Sequence, residues 1–477
     1  MDFQVNLVGR KNLSSEIYRQ IRNAIGDGRL RPGDSLPASR DLAQSLKVSR
    51  TTVTVAYDRL AGEGFVRSRV GSGTYVNNHI VRTLREEKSS RVDGSLQPRA
   101  VWDSIPLSRA FERRAKFDFR TGLPDASLFP HETWRRLVVR ALRSEAVAGG
   151  VYAEPGGHRG LRQAIARHVG VSRGVQVSAE DITITSGAQQ SLDLVARALL
   201  SPGDRVAVED PGYHPPSFLF ASLGADVHGV PVDNEGIVVD KLPSKTRLVY
   251  ITPSHQYPLG VTMSLSRRLA LLEWADQNNA AIIEDDYDSE FRFEGRPVEP
   301  LHTLDASGRV IYVGSFSKTL LPTLRLGFVA TPPGCTLAVH KAKYVTDWHT
   351  SMVLQVALAQ LIDQGAFARH LRKVRRIYTA RHEIVTKILN RDFVDHLEVM
   401  PAAAGLHVAA VARTASADEI KAVVKRASAF GIEIQQLARF AMGGPPRAGL
   451  LFGYGAIPTS RIPEGLSLLR SCFEEIA

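Results

Sequence analysis

"GSFSKTLLPTLRLGF", residues 314–328, sets one lysine, Lys318, among hydroxyl side chains between an apolar run and an arginine. The run before it, "RVIYVG" (309–314), has the β-branched and aromatic content of a buried strand, so Lys318 is expected on the loop at that strand's end. An ammonium is costly to hold in such a place, and a lysine whose pKa falls on burial becomes an amine able to form a Schiff base. Taken alone, a loop lysine is most often a solvated surface residue. Ser315, Ser317 and Arg325 alter that reading, because two hydroxyls and a planar, permanently charged guanidinium suit a phosphate.

Similar short strands lie on either side: "DITITSG", "DRVAVEDPG", "RLVYITPS" and "AAIIEDDYD", separated by helical stretches such as "AQQSLDLVARALL" and "SRRLALLEWADQ". Apolar strands alternating with helices predict a mostly parallel sheet covered on both faces, an α/β domain over residues 116–335. Ligands of such sheets gather at the carboxyl ends of the strands. Three stretches fall there. In "TSGAQQ" (185–190) the backbone N–H groups of Ala188 and Gln189 open a helix and can face an anion. In "IIEDDYDSEF" (282–291) a buried Asp can hold a pyridinium nitrogen protonated, and Tyr287 can hydrogen-bond a ring hydroxyl. In "EDPGYHPP" (209–216) Tyr213 can stack on a planar ring.

The chain has 477 residues, more than one compact core holds, since single cores stop growing at roughly 250–300 residues. No apolar run approaches the roughly 20 residues that span a bilayer. The N-terminus has no apolar stretch after a basic one, so a cytoplasmic protein is expected. Cys335 and Cys472 lie far apart, without CxxC or nearby His spacing, and suggest neither a disulfide framework nor a metal site. The net charge of +11 is unevenly placed: residues 1–76 hold 12 Lys and Arg against 7 Asp and Glu, and residues 77–115 hold 8 against 5. That leaves a nearly balanced body behind a basic head, the footprint of a nucleic-acid partner at the N-terminus.

The head reads as three helices and a hairpin. Leu13, Ile17, Ile21 and Ile25 recur at every fourth position until "GDGRLRPG" stops the helix. "SRDLAQSL" (39–46) is a short helix, "KVS" a tight turn, and the next helix is capped by Ser49 with Val53, Ala56, Tyr57 and Leu60 facing inward. "FVRSRVGSGTYV" (65–76) alternates around Gly71 and Gly73 as a hairpin does. Residues 77–115 lack periodicity and read as a linker with one amphipathic turn near Ala110. A long helical section and a smaller α+β domain fill residues 336–477.

The ordered set "YAEPGGHRGLRQAIARHV", "TSGAQQSLDL", "VEDPGYHPP", "TPSHQYPLG", "EDDYDSEF" and "SFSKTLLPTLRLGF" resembles a fold-type I aminotransferase domain that binds pyridoxal 5′-phosphate. That resemblance implies Lys318 as the internal aldimine and Asp285 as the partner of the pyridine nitrogen. It puts Tyr287 on the 3′-oxygen and Tyr213 on the ring, with Ser315, Ser317, Arg325, Ala188 and Gln189 on the phosphate. Tyr152 is implied to reach the phosphate of a partner subunit. Where the family carries an asparagine against the ring oxygen, this chain has "QYPLG" (256–260), and His255 or Gln256 is the substitute. An arginine for a substrate carboxylate is expected from the C-terminal segment, as Arg439 or Arg447.

Residues 28–76 resemble a winged helix-turn-helix of the GntR type, and head plus body together resemble the MocR/GabR-type regulators. The resemblance implies a homodimer, head to tail, on double-stranded promoter DNA. Arg50, Thr51 and Thr52, with Ser49, open the recognition helix toward the major groove, while Arg40, Arg67 and Arg69 with the Gly71–Gly73 wing approach phosphates or the minor groove. A regulator sensing an amine or amino acid, or pyridoxal phosphate itself, is expected; the alternative is a true aminotransferase with an attached DNA-binding head.

Overall fold

The computed structural model describes residues 5, 7, 12–69, 73–77, 96–107, 115–293, 295 and 298–475. The chain divides into two compact units, Met1–Pro98 and Arg99–Ala477.

In the first unit α1 (Leu13–Gly26), α2 (Ser39–Leu46) and α3 (Arg50–Gly62) accompany an antiparallel sheet of β1 (Ser35–Leu36), β2 (Val66–Arg69) and β3 (Gly73–Val76), ordered β1-β3-β2. The fourfold spacing in α1 buries Ile17, Ile21 and Ile25, whereas Leu13 stays half-buried at the helix start. Lys47 takes the left-handed conformation (φ 54°) that turns α2 into α3, and the Thr52 N–H donates to Ser49 Oγ at 3.1 Å, one of the helix's orphan donors satisfied. Val53, Ala56, Tyr57 and Leu60 are buried against α1 and the sheet residues Val66 and Val76 in one core. Val66↔Val76 and Arg69↔Gly73 pair across the wing hairpin. Gly71 and the turn near Ala110 lie outside the described residues; within 96–107, Ala100–Ser104 forms a short 3-10 turn.

The first strand of the second unit, β4 (Phe117–Asp118), pairs in parallel with Ile432–Glu433. Its main sheet contains β5 (Ile182–Thr185), β6 (Arg205–Asp210), β7 (Asp226–Asp233), β8 (Gly236–Ile237), β9 (Thr246–Ile251), β10 (Ala281–Asp286), β11 (Val310–Ser315) and β12 (Gly327–Ala330). The order is β5-β12-β11-β10-β9-β6-β7-β8. Strands β7, β6, β9, β10 and β11 run parallel, as the alternation with helices predicts. β12 is antiparallel to both β11 and β5, because the short loop carrying Lys318 contains no crossover helix and must return the chain directly. Successive strand residues fall in two layers: Val206, Val208, Leu248, Tyr250, Ile283, Ile311 and Val313 on one face, Ala207, Val249, Ile251, Ile282 and Val310 on the other. Burial on both faces is why these strands read as continuous apolar runs.

The long helical section is not one helix. It breaks into Pro333–Thr346, Met352–Asp363 and Ala366–Asp392, with Trp348 (φ 66°) and Gly365 (φ 66°) left-handed at the two breaks. Beyond it an antiparallel sheet of Leu397–Val399, His407–Ala412, Gly449–Gly453 and Gln435–Gln436 forms the C-terminal domain with helices Ala417–Ala429 and Ile462–Glu474. Among the described residues no helix is long and apolar enough to cross a membrane.

Leu60 has no exposed surface in the head core. Leu60→Ala is expected to cost the head roughly 2–5 kcal/mol, seen in calorimetry as a lowered head transition with the body's transition unmoved.

Candidate functional site

Sheet register decides what meets at the carboxyl edge. Ile251 stands beside Glu284, Asp286 beside Gly314, Ser315 beside Gly327, and Gly327 beside Thr185. Loops from β5, β6, β9, β10 and β11 therefore open onto one space.

Lys318 occupies the turn after β11, half-buried, and its Nζ donates to the Gly122 carbonyl at 2.7 Å. Burial lowers its pKa and the Arg325 guanidinium adds to this, against the opposing pull of Asp288 and Asp285. A Cβ on Gly122 would stand 3.1 Å from the amine, and its φ of +79° favours glycine independently. Residues 119–123 form a strap bound to the C-terminal domain. Phe119 N–H donates to Glu433 O at 2.8 Å, Gly453 N–H to Phe119 O at 2.8 Å, and Thr121 Oγ1 to Gln435 Oε1 at 2.7 Å.

Asp285, next to last in β10, has 4% of its surface exposed. Oδ2 accepts from the Tyr250 hydroxyl at 2.8 Å, while Oδ1 is buried without a partner. Burial pushes the carboxyl up to about 7, with Asp286 and Asp288 reinforcing it and Tyr250 and Lys318 pulling back. Glu209, at the end of β6, is also pushed up to about 7 by burial, although Thr252 donates to Oε2 through N–H (3.2 Å) and Oγ1 (2.7 Å).

At the end of β11, Ser317 N–H donates to Ser315 Oγ at 3.1 Å. Arg325, left-handed at φ 50°, donates through Nη2 to Ser186 O at 2.8 Å. Gly187 (φ 88°) precedes the helix Ala188–Leu199, and a Cβ there would meet Arg325 Nη2 at 2.9 Å. The guanidinium thus lies against the loop whose next N–H groups, those of Ala188 and Gln189, begin a helix with no intrahelical acceptor.

Tyr213 meets Tyr257 edge-on at 5.5 Å, and burial of its hydroxyl with the Asp285 charge pushes it up to about 12. Tyr287 donates to His255 O at 3.0 Å. His255 Nδ1 lies 3.0 and 3.1 Å from the two Asp288 oxygens and 3.0 Å from the Tyr287 hydroxyl, and Nε2 is buried without a partner. Gln256 is spent on its own loop: Nε2 donates to Pro211 O (2.9 Å) and Tyr257 O (2.8 Å), and Oε1 accepts from Leu259 N–H (3.1 Å). Of the two substitutes for the missing asparagine, His255 alone keeps an uncommitted polar atom. Arg439 is exposed and acts electrostatically on Tyr257 and His214, whereas Arg447 donates to Val232 O at 3.0 Å on β7. Tyr152, 76% exposed, stacks on Trp348 at 4.5 Å.

Tyr250, Tyr257 and Gly122 were not singled out in the sequence. Tyr250 alternates with Val249 in an apolar strand and reads as core; its hydroxyl matters because the neighbouring strand ends in a carboxylate.

The model for aminotransferases of class I and II matches residues 124–447, and that for bacterial regulatory proteins of the gntR family matches residues 13–76. The probable rhizopine catabolism regulatory protein MocR of Rhizobium meliloti is 37% identical over 464 residues, covering 96% of this chain and 93% of that one. The chain belongs to the MocR/GabR-type GntR regulators. The pyridoxine biosynthesis transcriptional regulator PdxR of Corynebacterium glutamicum is 32% identical, covering 93% of this chain and 92% of its own length. Among solved structures, the kynurenine aminotransferase of Pyrococcus horikoshii, in complex with PMP, is 28% identical with a TM-score of 0.69 over 78% of this chain and 98% of that chain. This MocR/GabR-type regulator accordingly joins a DNA-binding head to an aminotransferase-fold body whose cofactor is pyridoxal 5′-phosphate. The donor set fits that group: Asp285 Oδ1 is an orphaned buried acceptor for a pyridine N–H, Lys318 is a depressed amine, and Gly187 leaves the space beside Arg325 that a Cβ would fill.

In the head, Ser49, Arg50 and Thr51 are exposed and Thr52 half-buried at the start of α3; Arg40, Arg67 and Gly73 are exposed. Arg40, Arg50 and Arg67 have no ion-pair partner among the described residues, unlike Arg19, Arg29 and Arg59, which pair with Glu16, Asp27 and Glu63. The described residues extend to the backbone of Arg69, and its side chain lies outside them.

Two expectations follow from this geometry. Because Asp285 keeps its proton up to about pH 7 in the fold but loses it near 3.8 when unfolded, stability is lost as pH rises through that window. At pH 8, Asp285→Asn should therefore stabilise the cofactor-free protein by roughly 2–4 kcal/mol in denaturant unfolding, with little gain at pH 4, while weakening cofactor binding. Arg50→Ala should weaken promoter binding by roughly 1–3 kcal/mol and narrow the gap between promoter and random duplex in anisotropy titrations.

Proposed function

We propose that the body senses an amine or amino acid at Lys318, or pyridoxal phosphate itself, and that its state alters promoter binding by the head. The observation that carries this reading is the Lys318 Nζ bond to Gly122 O at 2.7 Å, on a strap tied to the C-terminal domain through Thr121 and Gln435. When bound, pyridoxal 5′-phosphate supplies an aldehyde carbon reactive toward amines and an electron-withdrawing ring. The chain's own residues do the rest. Asp285 presents Oδ1 to the ring nitrogen, where its carboxyl holds or shares a proton near neutral pH. Ser315, Ser317, Arg325 and the first N–H groups of the helix Ala188–Leu199 orient the phosphate, and Tyr213 covers the ring.

Burial pulls the Lys318 amine toward its neutral form, and Gly122 O is its acceptor whenever the amine is free. The strap is then held in one state and released in the other. A ligand shifts such an equilibrium only by its differential affinity for the two states, typically about 5–150-fold. Arg439, exposed beside Tyr257, supports an effector that carries a carboxylate. Exposed Tyr152 and Tyr344, each in ring contact with Trp348, support a homodimer through that face, head to tail on DNA in the cytoplasm, with Tyr152 reaching the second copy's phosphate.

Lys318→Ala should bind a promoter fragment with wild-type affinity yet fail to change it when amines and cofactor are added, measured by anisotropy across an amine panel. A variant that still responds normally removes the lysine from sensing. Sustained keto-acid release from excess amino acid would make the body a true aminotransferase instead.

A further inference from the structure

The turn that carries Tyr213 and the segment that carries Arg439 are joined by one carboxylate. Asp210 closes β6 three residues before Tyr213, and each of its oxygens takes an N–H from the C-terminal domain. Met442 N–H donates to Oδ1 at 2.9 Å and Gly444 N–H to Oδ2 at 2.7 Å. A charged acceptor makes such bonds roughly twice as strong as a neutral one does. The two backbones also meet directly, Gly212 N–H donating to Phe440 O at 2.9 Å, and Phe440 stands edge-on to Tyr257 at 5.2 Å. A Cβ on Gly444 would lie 2.8 Å from Asp210 Oδ2, and one on Gly229, in the adjacent β7, 3.0 Å from Met442 Cβ. The loop Ala441–Gly444 is thus pressed against β6 and β7. Arg439 sits three residues before Met442, in the 3-10 turn Leu437–Phe440, exposed and within electrostatic reach of Tyr257 and His214. Three residues of chain span at most about 10 Å, so the latch lies at the root of both the ring cover and the guanidinium.

We propose that Asp210 is a positioning residue for the effector: by latching the loop Ala441–Gly444 to the Tyr213 turn it fixes the Arg439 guanidinium, so that the site selects amines that carry a carboxylate over amines that lack one. The inference rests on the reading of the body as an amine sensor with Arg439 as the carboxylate's partner. Asp210 acts through Arg439 and not on the effector, since both of its oxygens are turned to loop amides and a bare carboxylate facing the effector's own would repel it. The gain comes from preorganisation: a guanidinium already held in place gives up less freedom on binding. Arg447, beyond the loop, is spent on Val232 O and cannot take this part. An amine without a carboxylate makes no use of Arg439 and is indifferent to the latch.

The test titrates the full chain, loaded with pyridoxal 5′-phosphate, by the shift of the cofactor's absorbance. The probes are amino acids paired with the amines left when the carboxyl is removed: alanine with ethylamine, 5-aminopentanoate with butylamine, phenylalanine with phenethylamine. The readout is the ratio of affinities within each pair. Wild type should favour the carboxylate-bearing member of at least one pair. Asp210→Ala should cut that ratio at least about fivefold, through the amino acid's affinity alone, with cofactor content unchanged. Asp210→Asn keeps one acceptor oxygen and should fall between. Gly444→Ala displaces the amide from Oδ2 and leaves the carboxylate in place, and should repeat the Asp210→Asn result. Without effector or cofactor, amides in 440–444 should exchange hydrogen faster in Asp210→Ala than in wild type. A folded Asp210→Ala chain that keeps the wild-type ratio overturns the latch and leaves the sensing reading standing. Faster exchange with an unchanged ratio does the same and reduces Asp210 to a structural tie. A wild type with no preference in any pair overturns the carboxylate reading, and the latch with it.

Discussion

Opposite charges taken out of water at one sheet edge govern this molecule. Asp285 is next to last in β10 and Lys318 lies on the loop after the adjacent β11, and each is driven toward its neutral form by the same low-dielectric surroundings. Neither would be tolerated in an ordinary core. Their presence explains the register that sets the strand ends together, the Tyr250 hydroxyl on Asp285 Oδ2, and the close glycines that let backbone approach the amine and the guanidinium.

That polar edge is also where large sheet and C-terminal domain communicate. Thr252 bonds to Glu209 and accepts from Tyr257 N–H at 2.9 Å; the Tyr257 hydroxyl meets Thr121 Oγ1 at 2.8 Å; Thr121 bonds to Gln435. A buried network of this kind is rigid when fully satisfied and sensitive when one member changes protonation or partner.

Much of the architecture was legible because its causes are local. Strands buried on both faces announce themselves as apolar runs, Gly and Pro punctuate the head, and the inward set Val53, Ala56, Tyr57 and Leu60 follows from helical spacing alone. Lys318 and Asp285 stand out because charge after an apolar strand is anomalous. What escaped has a long-range cause. Tyr250 looks like core until the adjacent strand supplies a carboxylate, and Gln256 looks available until its amide is traced to Pro211 O and Leu259 N–H. Nothing in a tryptophan signals the left-handed turn at Trp348 that divides the helical section, whereas Gly365 marks the other break openly.

The acceptor facing the Lys318 amine is a peptide carbonyl, and every residue has one. No point substitution at position 122 deletes it, and the left-handed φ of Gly122 penalises any replacement that tries to shift it. Drift in this lineage can therefore change the surrounding tyrosines and arginines, while the carbonyl that meets the Lys318 amine is inherited with the backbone itself.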